Sequence, residues 1–242
     1  MPDIRKHRGA HPEDRALFAD DQLPKLRTAV ADLSWLMTRG YPAKAALKLV
    51  GDRFGLNERQ RLAMSRASCS DERKLRRGTT CVAVSSINNE NLIVDGFNLL
   101  ITIEAALSGG VVMLCRDGCI RDLSSIHGSY RSVEETEPAI VLIGDSIARH
   151  AASTLWLLDK PISNSGRLAQ KLRRIASERG WDWSVELSFN PDNELAASKR
   201  IAISSDGPLL DQLPRWTNLA RHIIEKHLAE AWLIDLTDPG TR

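Results

Sequence analysis

The sequence predicts an α/β protein, a mostly parallel sheet flanked by helices, preceded by a small all-α N-terminal domain. Two observations carry this prediction. Beyond residue 80, short apolar runs at 92–95, 111–115, 154–158, 183–187, 200–204 and 231–235 alternate with helical patterns at 98–107, 133–151, 166–179, 207–213 and 218–230. Strands alternating with helices imply right-handed crossovers and parallel pairing. Before residue 80 only helical spacing is found, broken by glycines.

In chain order, residues 1–20 are charged and aperiodic and read as a flexible or loosely docked arm. Leu26, Val30, Leu33 and Met37 mark a helix over 23–38, which Gly40 stops, and Pro42 opens a second over 43–54. Asn57 is a good N-cap for a third, from Glu58 to about Ser68, which carries Arg59, Arg61 and Arg66. Two short helices joined at Gly55 fit either a groove-reading helix-turn-helix or plain helical packing. Arg73, Lys74, Arg76 and Arg77 follow, then Gly78-Thr79-Thr80 reads as a linker. The expected domains are therefore 1–80 and 81–242.

At 242 residues with 43% hydrophobic residues, the chain has enough apolar material for one large domain or two small ones. A net charge of +2 implies no particular partner, but arginine and lysine crowd the first ninety residues while the strand-tip acids lie later. The four cysteines form no Cys-x-x-Cys pair, which argues against structural zinc and for reduced thiols. Without a signal-like apolar core or an apolar run of about 18 residues, a soluble cytoplasmic protein off the membrane is expected.

The acids define the candidate site. Asn91–Asn98 reads as a buried strand ending in Asp95, followed by Gly96 and Asn98, and the run Ile201–Ile203 leads to Ser204-Ser205-Asp206. Leu155–Leu158 ends in Asp159. Ligands of open α/β sheets bind at such carboxyl ends. Asp95 or Asp206 alone could be a cap for the helix that follows. Three together suggest a pocket whose mutual repulsion a divalent cation would relieve, and hard oxygen donors suit Mg²⁺ or Mn²⁺. Asp211 is a further candidate ligand, and Glu104 faces either the pocket or solvent. In the loop 116–131, Arg116, Arg121 and Arg131 are expected to bind phosphates, with His127 and Tyr130 contacting sugar or base, or else to pair with Asp117 and Asp122. Ser163, Asn164 and Arg167 open the helix after Asp159 and suit an anion or a plain cap.

Val-Asp-Gly-Phe-Asn at 94–98 and Ser-Ser-Asp at 204–206 resemble motifs of the NYN branch of PIN-like nucleases. That resemblance implies a Rossmannoid, metal-dependent ribonuclease with Asp95 and Asp206 as metal ligands. The middle motif matches Asp159–Arg167, with Asn164 in an acid's place, and Gly207-Pro208 stand where a second aspartate is usual. The whole chain also resembles a prokaryotic family catalogued as domain of unknown function 434 with a companion C-terminal domain, through His11–Asp14, Asp32–Leu36, Arg39–Pro42, Val50–Arg53, Arg59–Arg61 and Ser163–Arg167. The leading expectation is a Mg²⁺- or Mn²⁺-dependent endoribonuclease with Asp95, Asp159 and Asp206 catalytic, Asn98 among the substrate contacts and the basic N-terminal helices docking RNA. The alternatives are a non-catalytic nucleic-acid-binding protein on a degenerate fold of this type, and a phosphohydrolase of small molecules.

Overall fold

Apolar residues at helical spacing build the first layer. The computed structural model describes residues 7–124, 128–148 and 150–237. Its first part comprises α1 (Asp14–Leu17), α2 (Leu23–Thr38), α3 (Ala43–Arg53), α4 (Glu58–Ala67) and α5 (Asp71–Thr80). Leu26, Val30 and Leu33 of α2 pack with Val50 of α3 and Met64 of α4. Asn57 starts α4 through a capping box with Gln60. The expected linker at Gly78–Thr80 is instead the last turn of α5: Ser70 caps that helix, and the Thr79 and Thr80 hydroxyls donate to the Arg76 carbonyl. The first residues described are docked. Arg8 donates to Glu104 (2.6 Å), and the buried Asp14 takes a two-pronged hydrogen bond from Arg59.

The second part runs β1 (Cys81–Val82), β2 (Asn91–Asp95), α6 (Gly96–Leu107), β3 (Val112–Leu114), β4 (Ile120–Asp122), α7 (Thr136–Ile147), β5 (Ser153–Asp159), α8 (Ser165–Arg179), β6 (Trp183–Ser188), α9 (Pro191–Ala197), β7 (Ile201–Ile203), α10 (Gly207–Leu210), β8 (Trp216–Thr217), α11 (Leu219–His227) and β9 (Leu233–Asp235). Six strands form one parallel sheet in the order β1-β8-β7-β2-β5-β6. Successive side chains on a strand point to opposite faces, and both faces are covered. Leu92, Val94, Trp156, Leu158, Ile201 and Ile203 join the core with α6, α7, α8 and α11. Ile93, Leu157 and Ala202 pack on the other side with Leu195 of α9 and Leu209 and Leu210 of α10.

Two expected members of this sheet lie elsewhere. The runs 111–115 and 231–235 pair with each other as β3 and β9, and with β4, in a separate three-stranded sheet. Val111, Met113 and Cys115 face the core of the N-terminal helices, together with Ile234 and Leu236, while Val112 faces the core around α6. Alternation identifies a strand but not its neighbours, so the pattern could not separate the two sheets. The small sheet thus packs on the N-terminal helices with one face and on α6 with the other, so the core of the first eighty residues extends past residue 80. Among the described residues no helix is long and apolar enough to cross a membrane.

Candidate functional site at the carboxyl edge of the sheet

Strand β2 occupies the centre, and the chain builds outward from it in two directions: β5 and β6 to one side, β7 and β8 to the other. That makes the carboxyl end of β2 a topological switch point, where open α/β sheets leave a crevice. Gly96 lets α6 leave β2 there. A Cβ at this position would stand 2.5 Å from Leu158 Cδ2 and 2.8 Å from the Leu157 carbonyl.

Asp95 precedes α6, but its side chain makes no capping bond. Instead Oδ2 accepts from the Ser204 hydroxyl at 2.8 Å, tying the tip of β2 to the segment after β7. Asn98 strengthens that tie, its Oδ1 accepting from the Ser205 backbone (2.8 Å) and hydroxyl (3.0 Å). Asp206 does cap its helix, with Oδ1 accepting from the Leu209 N–H at 2.9 Å. Burial is the largest cause lifting the Asp95 carboxyl from 3.8 to about 7; the Ser204 hydroxyl opposes it, and Asp206, Asp192 and Asp159 raise it further. Partial burial and then Asp192 hold Asp159 above its ordinary value; partial burial and then Asp206 do the same for Asp192. Four carboxylates on four segments thus share one field at this edge.

Asp192 was missed in the sequence. It sits in the first turn of α9, a seven-residue helix too short for a period. The available signal was Asn190-Pro191-Asp192 just past an apolar run, the arrangement that marked the other tips.

Several expected site residues serve the fold instead. Asp211 is corrected as a metal ligand: Arg77 donates to both its oxygens (2.7 and 3.0 Å), and Arg73 lies 3.3 Å away. Arg121 is corrected as a substrate contact: it is buried, donates to the Ser205 carbonyl (2.5 Å) and forks onto Asp117 (2.9 and 2.6 Å). Burial pushes the Asp117 carboxyl up, but Arg121 and Arg77 outweigh it and leave it well below the carboxylate range. Arg116 donates through its two terminal nitrogens to the Cys69 carbonyl (2.9 Å) and Asp71 (2.5 Å), while its buried Nε makes no hydrogen bond. The arginines of α4 are likewise turned inward, Arg59 to Asp14, Arg61 to the Leu56 carbonyl and Asp52, Arg66 to the Asp122 and Ser124 carbonyls. For the buried Arg77 and Arg121 the physical reason is that a guanidinium carries five donors, and a buried charge is tolerated only with acceptors and a counter-charge nearby.

Glu104 faces neither pocket nor solvent. It is fully buried and accepts from Arg8 (2.6 Å), Tyr130 (2.5 Å) and Thr136 (2.6 Å), which also places Tyr130 in the core. Asn164 has a left-handed backbone (φ 70°) and donates to the Tyr130 carbonyl (2.9 Å). Ser163, Arg167 and Arg131 are exposed. His127 lies outside the described residues.

A cleft of about 450 Å³ opens between the helical layer and this edge. Its lining includes Met37, Arg66, Arg73 and Arg77 from the helical layer and Phe97, Asn98, Ser205 and Asp206 from the sheet edge, so of the four edge acids only Asp206 lines it. Arg73 is half exposed. Among the described residues, no three His, Cys, Asp or Glu side chains stand close enough to enclose a metal ion.

The fold defines a mixed α/β protein with a six-stranded parallel sheet flanked by helices and a helical N-terminal region, with a cleft beside Asp206. Residues 84–222 match a domain of unknown function (DUF5616), and residues 25–78 match a protein family of unknown function (DUF434). The chain belongs to the DUF5616 family. It is also similar to an uncharacterized protein of Methanocaldococcus jannaschii, 29% identical over 191 residues, covering 76% of this chain and 88% of that protein. No solved structure matches.

Proposed function

We propose that the protein is a metal-dependent nuclease that hydrolyses phosphodiester bonds in RNA at the carboxyl edge of its sheet, on a PIN-like fold. The observation that carries this reading is the placement of Asp95, Asp159, Asp192 and Asp206 at or just beyond the carboxyl ends of the adjacent strands β2, β5, β6 and β7, where the other three acids add to the rise of the Asp95 carboxyl. The Val-Asp-Gly-Phe-Asn and Ser-Ser-Asp likenesses point the same way. The donor set fits a hard cation: Asp95 Oδ1 and Asp206 Oδ2 are the oxygens not used by Ser204 and Leu209. Mg²⁺ commonly takes only one or two carboxylates plus water and substrate phosphate, so a closed protein cage is not required. When bound, such an ion activates water and offsets charge on the phosphate. The chain's own residues hold the geometry. Ser204 orients Asp95, Asn98 pins the Ser204–Ser205 segment, and Arg77 and Arg121 grip the Gly207 and Ser205 carbonyls on either side of Asp206.

The test is cleavage of a labelled single-stranded RNA with Mg²⁺ or Mn²⁺. Asp95→Asn and Asp206→Asn should each lower the rate at least about a hundredfold, the scale on which charge-stabilising groups act. Asn caps a helix about as well as Asp, so Asp206→Asn should fold with wild-type stability. Undiminished metal-dependent cleavage by either variant refutes the assignment. The second reading is a nucleic-acid-binding protein that does not cut, favoured by the inward pairing of Arg121 with Asp117 and of Arg77 with Asp211, which leaves these cations to the fold and not to a cleaved phosphate. Mn²⁺ titration of the full chain separates the two: saturable binding lost in Asp95→Asn supports the nuclease.

A further inference from the structure

The residues next to the carboxylates on the β5–β6 side are unlike the rest of the edge. Asp159 and Ser188 are register partners at the ends of β5 and β6, and the Lys160 N–H donates to the Ser188 carbonyl at 2.7 Å, extending the pairing by one residue. Lys160 and Phe189 therefore emerge side by side. Phe189 is 74% exposed, the most exposed of the large apolar side chains described, and Lys160 Nζ lies 4.5 Å from its ring centroid. Asp159 precedes Lys160, and Asp192 follows Phe189 by three residues, so both segments carry a member of the acidic cluster. Ser188 holds the loop in shape: its hydroxyl donates to Glu194 (2.5 Å) and accepts from the Asn190 N–H (2.9 Å). Two strand spacings separate β6 from β2, roughly 10 Å, within reach of a nucleotide beside one held at Asp95.

We propose that Phe189 and Lys160 form a subsite for one nucleobase and its phosphate in a single-stranded nucleic acid. Lys160 sits over one face of the ring, and the other face of a side chain this exposed can stack on an unpaired base, a contact that tolerates sequence. The neighbouring ammonium supplies a point charge for the phosphate. A duplex keeps its bases stacked inside and cannot use the ring, so the subsite selects single strands. The proposal rests on the nucleic-acid reading above and names the part of the substrate that this edge holds.

The experiment is fluorescence anisotropy of the full chain with labelled twelve-nucleotide oligoadenylate, as RNA and as DNA, and with its duplex, in EDTA so that no cleavage intervenes. Wild type should prefer the single strand. Phe189→Ala should weaken it about tenfold, with Phe189→Trp restoring it. Lys160→Ala should flatten the slope of log affinity against log salt by about 0.7, the loss of one phosphate contact on a single strand. Phe189 is exposed, so the substitutions leave the core untouched. Equal affinity of Phe189→Ala and wild type overturns the subsite, as does wild type binding no oligonucleotide or preferring the duplex. Failure of the nuclease reading is seen separately, as binding without metal-dependent cleavage.

Discussion

At the scale of single residues, Asp95 and Asp206 show how similar contexts lead to different roles. Both precede a helix, yet only Asp206 caps one, while Asp95 is turned to Ser204. The Asp95 carboxyl is lifted from 3.8 to about 7 by burial and its acidic neighbours. Between about pH 4 and 7 the folded chain keeps a proton that the unfolded chain has released. Stability therefore falls as pH rises through this window, with no change below it and the loss complete above. A tenfold difference in acid strength between the folded and unfolded chain corresponds to about 1.4 kcal/mol. Asp95→Asn should thus gain stability over wild type on going from pH 4 to pH 8, by a few kcal/mol in denaturant titrations. An advantage equal at both pH values would contradict the buried, charge-crowded state described for Asp95.

At the scale of elements, two glycines illustrate how packing decides what a position tolerates. Gly96 at the start of α6 lies against the Leu157 carbonyl, and backbone cannot yield as a side chain does. Gly96→Ala should cost about 1–3 kcal/mol, as overpacking does, and should disturb Asp95 beside it. Gly78, also in a helix, has nothing within 4 Å of a built Cβ. Gly78→Ala should stabilise α5 by up to about 1 kcal/mol through helix propensity. Thermal melts of the two variants should move in opposite directions, and parallel shifts would contradict the packing described. The Gly78 segment also shows why a linker was expected. Gly-Thr-Thr has weak intrinsic helicity, and the helix persists because Arg77 within it is anchored to Asp117 and Asp211.

At the scale of the molecule, that anchor joins the helical layer to the segment carrying Asp206. Arg77 from α5 bonds to Asp117, Asp211 and the Gly207 carbonyl, and is almost wholly buried. Removing one partner of a buried pair leaves the other charges uncompensated, at a cost of about 3–5 kcal/mol. Arg77→Met should destabilise the whole chain by that amount in a single cooperative transition, because the three-stranded sheet shares its core with the N-terminal helices. Two separate transitions, with the α/β part melting as in wild type, would show that the layers are independent.

The sequence by itself determined the α/β class, the helices over 23–38, 43–54 and from Glu58, and the strands that lead to Asp95, Asp159 and Asp206. These rest on local periodicity and on residue types whose backbone preferences act within a few positions. Tertiary structure decided which strands pair, and so sent 111–115 and 231–235 to a second sheet. It also decided the fate of the arginines, because a guanidinium finds its acceptors across the fold: Arg121 on Ser205 and Asp117, Arg77 on Asp211, Arg59 on Asp14. Asp192 joined the acids only when the sheet brought the end of β6 beside β5, since its seven-residue helix carries no period of its own.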